Sequence, residues 1–370
     1  MGLKLYSSIL ALCDVNSTCM TKMLEGVPTN HICGIVFCGV SDTVEYHQLL
    51  SDIKSAVYNS LGRRVPITLI PQYLLPKGGL SIDIYTLEEE CDINIKEYNG
   101  VCYGLIEGAN ESMLFIEGIP SADFSDSVRK QSDEVFEKLD SLLSMYNFSI
   151  DDIVRQWNYI GNIVSYRNGK QNYQEFNDAR SAYYGRCGWK NGYPAATGIG
   201  TSCEGIIVGG IAFKRADNSG IHPIDNPLQV AAHIYSKKVL IDNDKNAVKS
   251  TPKFERAKLI ENERGACCFV SGTAAIRGES SMENSSAKLQ TIMTIENIEH
   301  LVSKENLVKY GCKPYDLRYV QLQVYIKNAE DYEEVREVVD KAYPGIPAVY
   351  TIADVCRSEL LVEIEGILIS

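Results

Sequence analysis

Two stretches of this sequence, starting near Leu114 and near Cys268, pass through the same series of patterns in the same order. The first runs from the apolar string MLFIEGI through a helical stretch VRKQSDEVFEKLDSLL. It continues through WNYI, a second helical stretch YQEFNDARSAYYG, the string PAATGIG and a closing GIIVGGIAF. The second runs CFVSGTAAI, LQTIMTIENIEHLV, LRYVQLQVYI, YEEVREVVDKAY, PAVYTIAD and LLVEIEGILI. Spacings of three and four in Val135, Leu139, Leu142 and Leu143, and in Ile292, Ile295, Ile298 and Leu301, predict amphipathic helices. The strings between them alternate or run apolar, as strands do. Each copy therefore reads β-α-β-α-β-β, which predicts an α+β fold of tandem repeats, each a mixed sheet packed against helices.

Pro194 and Pro347 lie 153 residues apart, and Phe115 and Phe269 lie 154 apart. Near-constant offsets favour a common origin, with length differences confined to the middle of each unit, where surface loops tolerate insertion. The competing reading is two unrelated units sharing a common pattern. Residues 31–88 also read strand, helix, strand (ICGIVFCGV, YHQLLSDIKSAVYNSL, PITLIP), interrupted by a PKGG turn and an acidic run from Glu88 to Asp92. The expected organisation is an N-terminal region over 1–110, containing a degenerate third copy, a repeat over 111–215 and a C-terminal repeat over 216–370.

Composition excludes several classes. A net charge of −12 leaves no surplus of Lys and Arg for phosphate backbones, so nucleic acid is not an expected partner. Twelve cysteines in 370 residues, with no CxxC pair, do not read as a disulfide scaffold, and the adjacent Cys267 and Cys268, inside an apolar run, read as small hydrophobes of a reduced cytoplasmic protein. No apolar run is long enough for a membrane span, and the opening MGLKLYSSILALC is too short for a secretory core. The five histidines (31, 47, 222, 233 and 300) show no metal-ligand spacing with another His, Cys or acid, so no metal is expected. Neither GIGTS nor the glycine-rich 205–210 run has dinucleotide or P-loop spacing, which removes those two readings, and no GxSxG elbow occurs.

Within this frame, VSG after the first strand, Gln290 opening the helix, Pro347-Ala348 and the closing LVEIEG resemble the Rid (YjgF) family of trimeric imine deaminases, over about Gly265 to Ser370. A wider resemblance is to the chorismatases of the FkbO type, also described as pteridine-dependent-dioxygenase-like. It rests on WNYI (157–160), Tyr173, Phe176 and Arg180, PAATGIG (194–200), NPLQVAAHIY (226–235), PKFERA (252–257), VSGTAAI (270–276) and CRSELLVEIEG (356–366). Seven strings in one order are specific together, over roughly Asp151 to Gly366.

The chorismatase resemblance implies a cofactor-free enzyme. In it, one carboxylic acid protonates the vinyl group of an enol-pyruvyl ether, an oxocarbenium ion forms, and its capture releases pyruvate. It places that acid at Glu363, among apolar Leu360, Leu361, Val362 and Ile364, where burial would keep the carboxyl protonated. The competing reading is that Glu363 and Glu365 are alternate polar positions on a strand, one facing solvent. A dianionic substrate calls for guanidinium clamps, for which the candidates are Arg180, Arg256 and Arg357, with Tyr173 and Tyr235 as hydroxyl donors or pocket walls. Where the second copy reads VEIEG, the first reads VGGIA, so only the C-terminal repeat can carry the acid. A tandem chain can then set one repeat's residues opposite the other's acid, acting as a monomer with internal pseudo-subunits or as a homotrimer.

Two positions depart from these families. Rid deaminases carry Pro-Ala-Arg where this chain has Val349, which removes that family's carboxylate anchor. Chorismatases carry Gly-His-Glu-Ser where this chain has Gly278-Glu279-Ser280-Ser281. The resemblance further makes the residue after the strand serine a product switch, with Gly for 3-hydroxybenzoate and Ala for a dihydroxycyclohexadiene carboxylate. Here it is Gly272, followed by Thr273, with the accompanying cysteine at Cys356. The expected activity is cleavage of chorismate to pyruvate and 3-hydroxybenzoate; an imine or enamine deaminase and a non-catalytic metabolite-binding module are the alternatives.

Overall fold

The computed structural model describes residues 3–10, 17–39, 43–87, 91–167, 169–217, 219–236, 250–262 and 265–370. Three sheets carry the architecture. The middle one has the strand order Ala195–Thr201, Ile153–Gly161, Ile206–Arg215, Glu111–Pro120, Val101–Glu107, Ile93–Tyr98. The first pair is parallel and the rest are antiparallel. The third sheet contains this order as Ala348–Ile352, Arg318–Ile326, Val362–Ile369, Gly265–Ala274, Ala257–Asn262, Ile221–Ile224, again with only the first of these pairs parallel, and the short strand Tyr73–Leu74 extends it antiparallel to Ala348–Ile352. The order read from the repeated strings is the order found. The middle sheet, however, begins at Ile93 rather than at 111, because two strands precede the first string of the repeat. No helix among the described residues is long and apolar enough to cross a membrane.

The N-terminal sheet has the order Ile67–Ile70, Ile32–Cys38, Leu80–Leu87, Leu3–Leu10, with one parallel pair followed by two antiparallel ones. That is the pairing of the first four strands given for each of the other two sheets. The PKGG turn does not break the unit but leads into its closing strand, Leu80–Leu87.

Helices cover one face of each sheet. Val128–Met145 starts where the Ser127 hydroxyl accepts the Lys130 N–H at 3.3 Å, capping a free N-terminal donor. It buries Val135, Phe136, Leu139, Leu142 and Leu143 against Asn172–Tyr184 and the middle sheet. Over the third sheet lie Ala287–Leu301 and Tyr332–Ala342. Here one expectation fails: Ile292 is exposed, and the buried stripe of Ala287–Leu301 contains Gln290, Thr291, Thr294 and Asn297 beside Ile298 and Leu301. The opposite faces of the three sheets meet in one core, where Tyr85, Phe115, Trp157, Tyr159, Phe269, Tyr325 and Ile367 pack together.

Candidate active site

Glu363 lies in Val362–Ile369, whose side chains divide by the period of two: Val362, Ile364 and Leu368 go to the helix side, Ile367 to the central core. Glu363 and Glu365 share the inner face, so neither faces solvent, and both are buried. Among the described residues no group hydrogen-bonds the Glu363 carboxyl. Burial first and the neighbouring Glu365 second push its pKa up to about 8, against the pull of Arg155 and Arg256. The carboxyl is therefore largely protonated at neutral pH.

Glu365 is held differently. It accepts the Trp157 indole N–H at 2.9 Å and the Thr197 hydroxyl, and it pairs with Arg155 at 2.8 Å. Trp157, Thr197 and Arg155 all belong to the middle unit, so this network fastens the two units beside the acid. Thr197 also accepts the Gly272 N–H at 3.0 Å and a guanidinium N–H of Arg155 at 2.8 Å. Gly272 sits where Gly265–Ala274 shifts register against Val362–Ile369, between Val270 and Thr273. A Cβ at 272 would lie 2.0 Å from Glu363 Oε1 and 3.1 Å from Thr197 Cγ2, so a side chain there would displace the carboxyl.

A pocket of about 610 Å³, counting its open mouth, opens onto Glu363 between the middle and third units. The middle unit contributes Gln171, Tyr173, Gln174 and Asn177 from the start of Asn172–Tyr184. Tyr173 fits because Gly198, opposite, leaves room: a Cβ there would come within 3.0 Å of its ring. Burial raises the Tyr173 pKa, and Cys356 and Glu363 raise it further while Arg180 opposes them. The hydroxyl therefore stays a donor. Cys356 lines the same wall, its thiol pushed up to about 12, chiefly by burial, and it is no nucleophile.

The remaining wall carries positive charge. Arg256 follows Phe254 in the PKFERA string, and its guanidinium donates to the Val230 carbonyl at 2.9 Å and to the Tyr235 hydroxyl. Arg357 also lies over Tyr235; the guanidinium carbons of Arg256 and Arg357 are 5.6 and 5.3 Å from that ring's centroid. The Gly278-Glu279-Ser280-Ser281 segment holds Arg357 in place: the Glu279 carbonyl and the Ser281 hydroxyl accept from it at 3.0 and 2.9 Å. The Glu279 carboxylate accepts the N–H and hydroxyl of Ser236, next to Tyr235, at 2.8 and 2.6 Å. One protonated carboxyl facing two guanidiniums and a tyrosine suits an anionic organic substrate.

Of the residues expected from sequence, the structure brings together Glu363, Arg256, Arg357, Tyr173, Tyr235, Gly272 and Cys356. Two are elsewhere. Arg180 does not reach the pocket: it is buried behind it, donates to Asn177 Oδ1 at 2.6 Å and packs over Phe176. Thr273 pairs with Ile364 on the helix side of the sheet and gives its hydroxyl to the Ser271 carbonyl at 2.9 Å. The residue after a pocket-facing position on a strand points away. Asn177, Arg155 and Thr197 were missed, although an arginine inside the buried run IVRQWNYIG signals a buried partner.

Fold and pocket together define a tandem-repeat α/β protein with a buried, protonated carboxyl in a cleft between units. Residues 95–212 match the family described as chorismatase FkbO/Hyg5-like, N-terminal. The chain is 33% identical over 259 residues to a 3-hydroxybenzoate synthase of Streptomyces hygroscopicus, spanning 67% of this chain and 71% of that protein. It is 30% identical over 222 residues to a chorismatase of Streptomyces rapamycinicus, spanning 58% of this chain and 63% of that one. A chorismatase crystal structure superposes with a TM-score of 0.72 at 20% identity, covering 100% of this chain and 99% of the other. The chain belongs to the chorismatase family.

Proposed function

We propose that this chain cleaves the enol-pyruvyl ether of chorismate, releasing pyruvate and 3-hydroxybenzoate, with Glu363 as the acid. The observation that carries the reading is the Glu363 carboxyl, protonated near neutrality and facing a pocket with Arg256 and Arg357. In this reading the guanidiniums receive the two substrate carboxylates. Asn177, held by Arg180, and Tyr173 set the ring between the units. Glu363 then delivers its proton to the vinyl methylene, and the resulting oxocarbenium ion is captured. The two products together contain every atom of chorismate, so no oxidant, reductant or net water enters the balance.

The names of the relatives, 3-hydroxybenzoate synthase and chorismatase, support the same substrate and product. Gly272 fits the aromatising outcome, since the Glu363 carboxyl takes the place that a side chain at 272 would fill. The test is to incubate the protein with chorismate, follow pyruvate with a lactate dehydrogenase coupled assay and identify the aromatic product by mass spectrometry. Pyruvate and 3-hydroxybenzoate in equal amounts are expected; no pyruvate above the uncatalysed rate overturns the reading.

A further inference from the structure

We propose that His222, Glu261 and Cys312 form a binding site for a divalent transition metal of the zinc type, separate from the pocket around Glu363. His222, in Ile221–Ile224, pairs with Leu259 of Ala257–Asn262, so Glu261 is its diagonal neighbour on the same face. Cys312 arrives from another direction. The helix Lys304–Lys309 ends in a turn with Gly311 at φ 79°, where the N–H groups of Gly311 and Cys312 bond to the Val308 and Leu307 carbonyls. An imidazole nitrogen, a carboxylate oxygen and the sulfur thereby lie within 4.8 Å of one another.

A second observation points to a ligand. His222 Nδ1 is 3.1 Å from the Tyr310 carbonyl, which can only accept, so Nδ1 carries the proton and Nε2 presents a lone pair. Nε2 is buried and has no hydrogen-bond partner; Glu261 Oε2, at 3.9 Å, is too far to be one. A metal ion supplies what that lone pair lacks. Both ring and carboxylate are oriented from behind, the ring by the Tyr310 carbonyl and Glu261 by the Lys313 N–H donating to Oε1 at 3.1 Å. Such outer partners are usual for metal-binding histidines and carboxylates.

Chemistry selects the ion. A thiolate, a carboxylate and a neutral imidazole together neutralise a 2+ charge, and sulfur favours zinc over magnesium or calcium. Bonds of about 2.0 to 2.3 Å require the three atoms to close by roughly 1 Å and leave a fourth position for water. The ion would clamp the two edge strands Ile221–Ile224 and Ala257–Asn262 to the turn after Lys304–Lys309.

Reduced, chelator-treated protein titrated with cobalt(II) chloride should develop a thiolate-to-cobalt charge-transfer band at one equivalent, and zinc chloride should abolish it. Cys312→Ala should remove the band, and His222→Ala or Glu261→Gln should weaken cobalt binding at least about tenfold. Should Cys312→Ala fail to fold, the variants at the two half-buried positions carry the test. Absence of the band, its persistence in Cys312→Ala, or unchanged affinity in both other variants overturns the proposal.

Discussion

A carboxyl that gives up a proton near neutral pH must be kept from ionising, and at Glu363 burial and Glu365 outweigh Arg155 and Arg256. Because its pKa is pushed up to about 8, kcat should fall as pH rises above about 8 while remaining flat below, a profile that initial rates of pyruvate release will check. Linkage adds a second signature. The folded state holds this proton over a range in which an unfolded glutamic acid, near its ordinary 4.5, has lost it. The stability contribution is thus fully present below pH 4.5 and is lost as pH rises through about 8. Glu363→Gln removes that dependence, so its melting temperature should gain on wild type between pH 5 and 9, while kcat drops about a hundredfold or more. Apolar neighbours made the burial of Glu363 legible in the sequence. The close contact with Gly272 was not, because it depends on a register shift between two strands. In Gly272→Ala the new methyl must displace the carboxyl or Thr197, so a slower enzyme releasing a larger share of dihydroxycyclohexadiene carboxylate is expected by mass spectrometry.

At the scale of elements, the helix Ala287–Leu301 turns a partly polar face inward to hold the strands that frame the pocket. Gln290 donates to the Met282 and Glu359 carbonyls at 3.2 and 3.0 Å and accepts the Leu361 N–H at 2.8 Å. Asn297 donates to the Ala274 and Ile276 carbonyls at 3.1 and 3.0 Å. Periodicity located this helix but put Ile292 in its buried stripe, since a stripe that binds loop carbonyls leaves no apolar mark. The arginines divide in a similar way. Arg357, held against Tyr235 by the 278–281 segment, faces the pocket, and Arg357→Ala should raise KM by about 10- to 100-fold with little change in kcat, as loss of a charge-assisted contact does. Arg180 stands behind the pocket and holds Asn177, which lines it, so Arg180→Lys should recover part of the activity lost in Arg180→Ala, and steady-state kinetics on the pair will tell positioning from direct binding.

Across the whole molecule the three units are related position by position. Thr68, Thr197 and Thr351 pair with Val36, Trp157 and Tyr325, and these pair in turn with Asp83, Gly209 and Glu363. The strings of the second and third units made their relation readable, whereas the N-terminal unit lacks those strings and shares only the pairing. At the acid position, Gly209 has no carboxyl. Asp83 is pushed up to about 6 by burial but is occupied by Ser7 and Gln321, which both donate to it at 2.5 Å. The Glu363 position thus combines an unbonded, protonated carboxyl with an open pocket, and the two units that form its walls are joined by the pair of Arg155 and Glu365, both buried. Removing one partner strands the other charge away from water, so Arg155→Met should cost about 3 to 5 kcal/mol of stability. Replacing both with apolar residues strands nothing, and Arg155→Met combined with Glu365→Leu should recover most of that loss. The double variant also removes the carboxylate that raises the Glu363 pKa, together with the Arg155 cation that lowers it. Urea midpoints of the two single variants and the double variant give the coupling directly, and a double variant no more stable than Arg155→Met would show that the pair does not fasten the units.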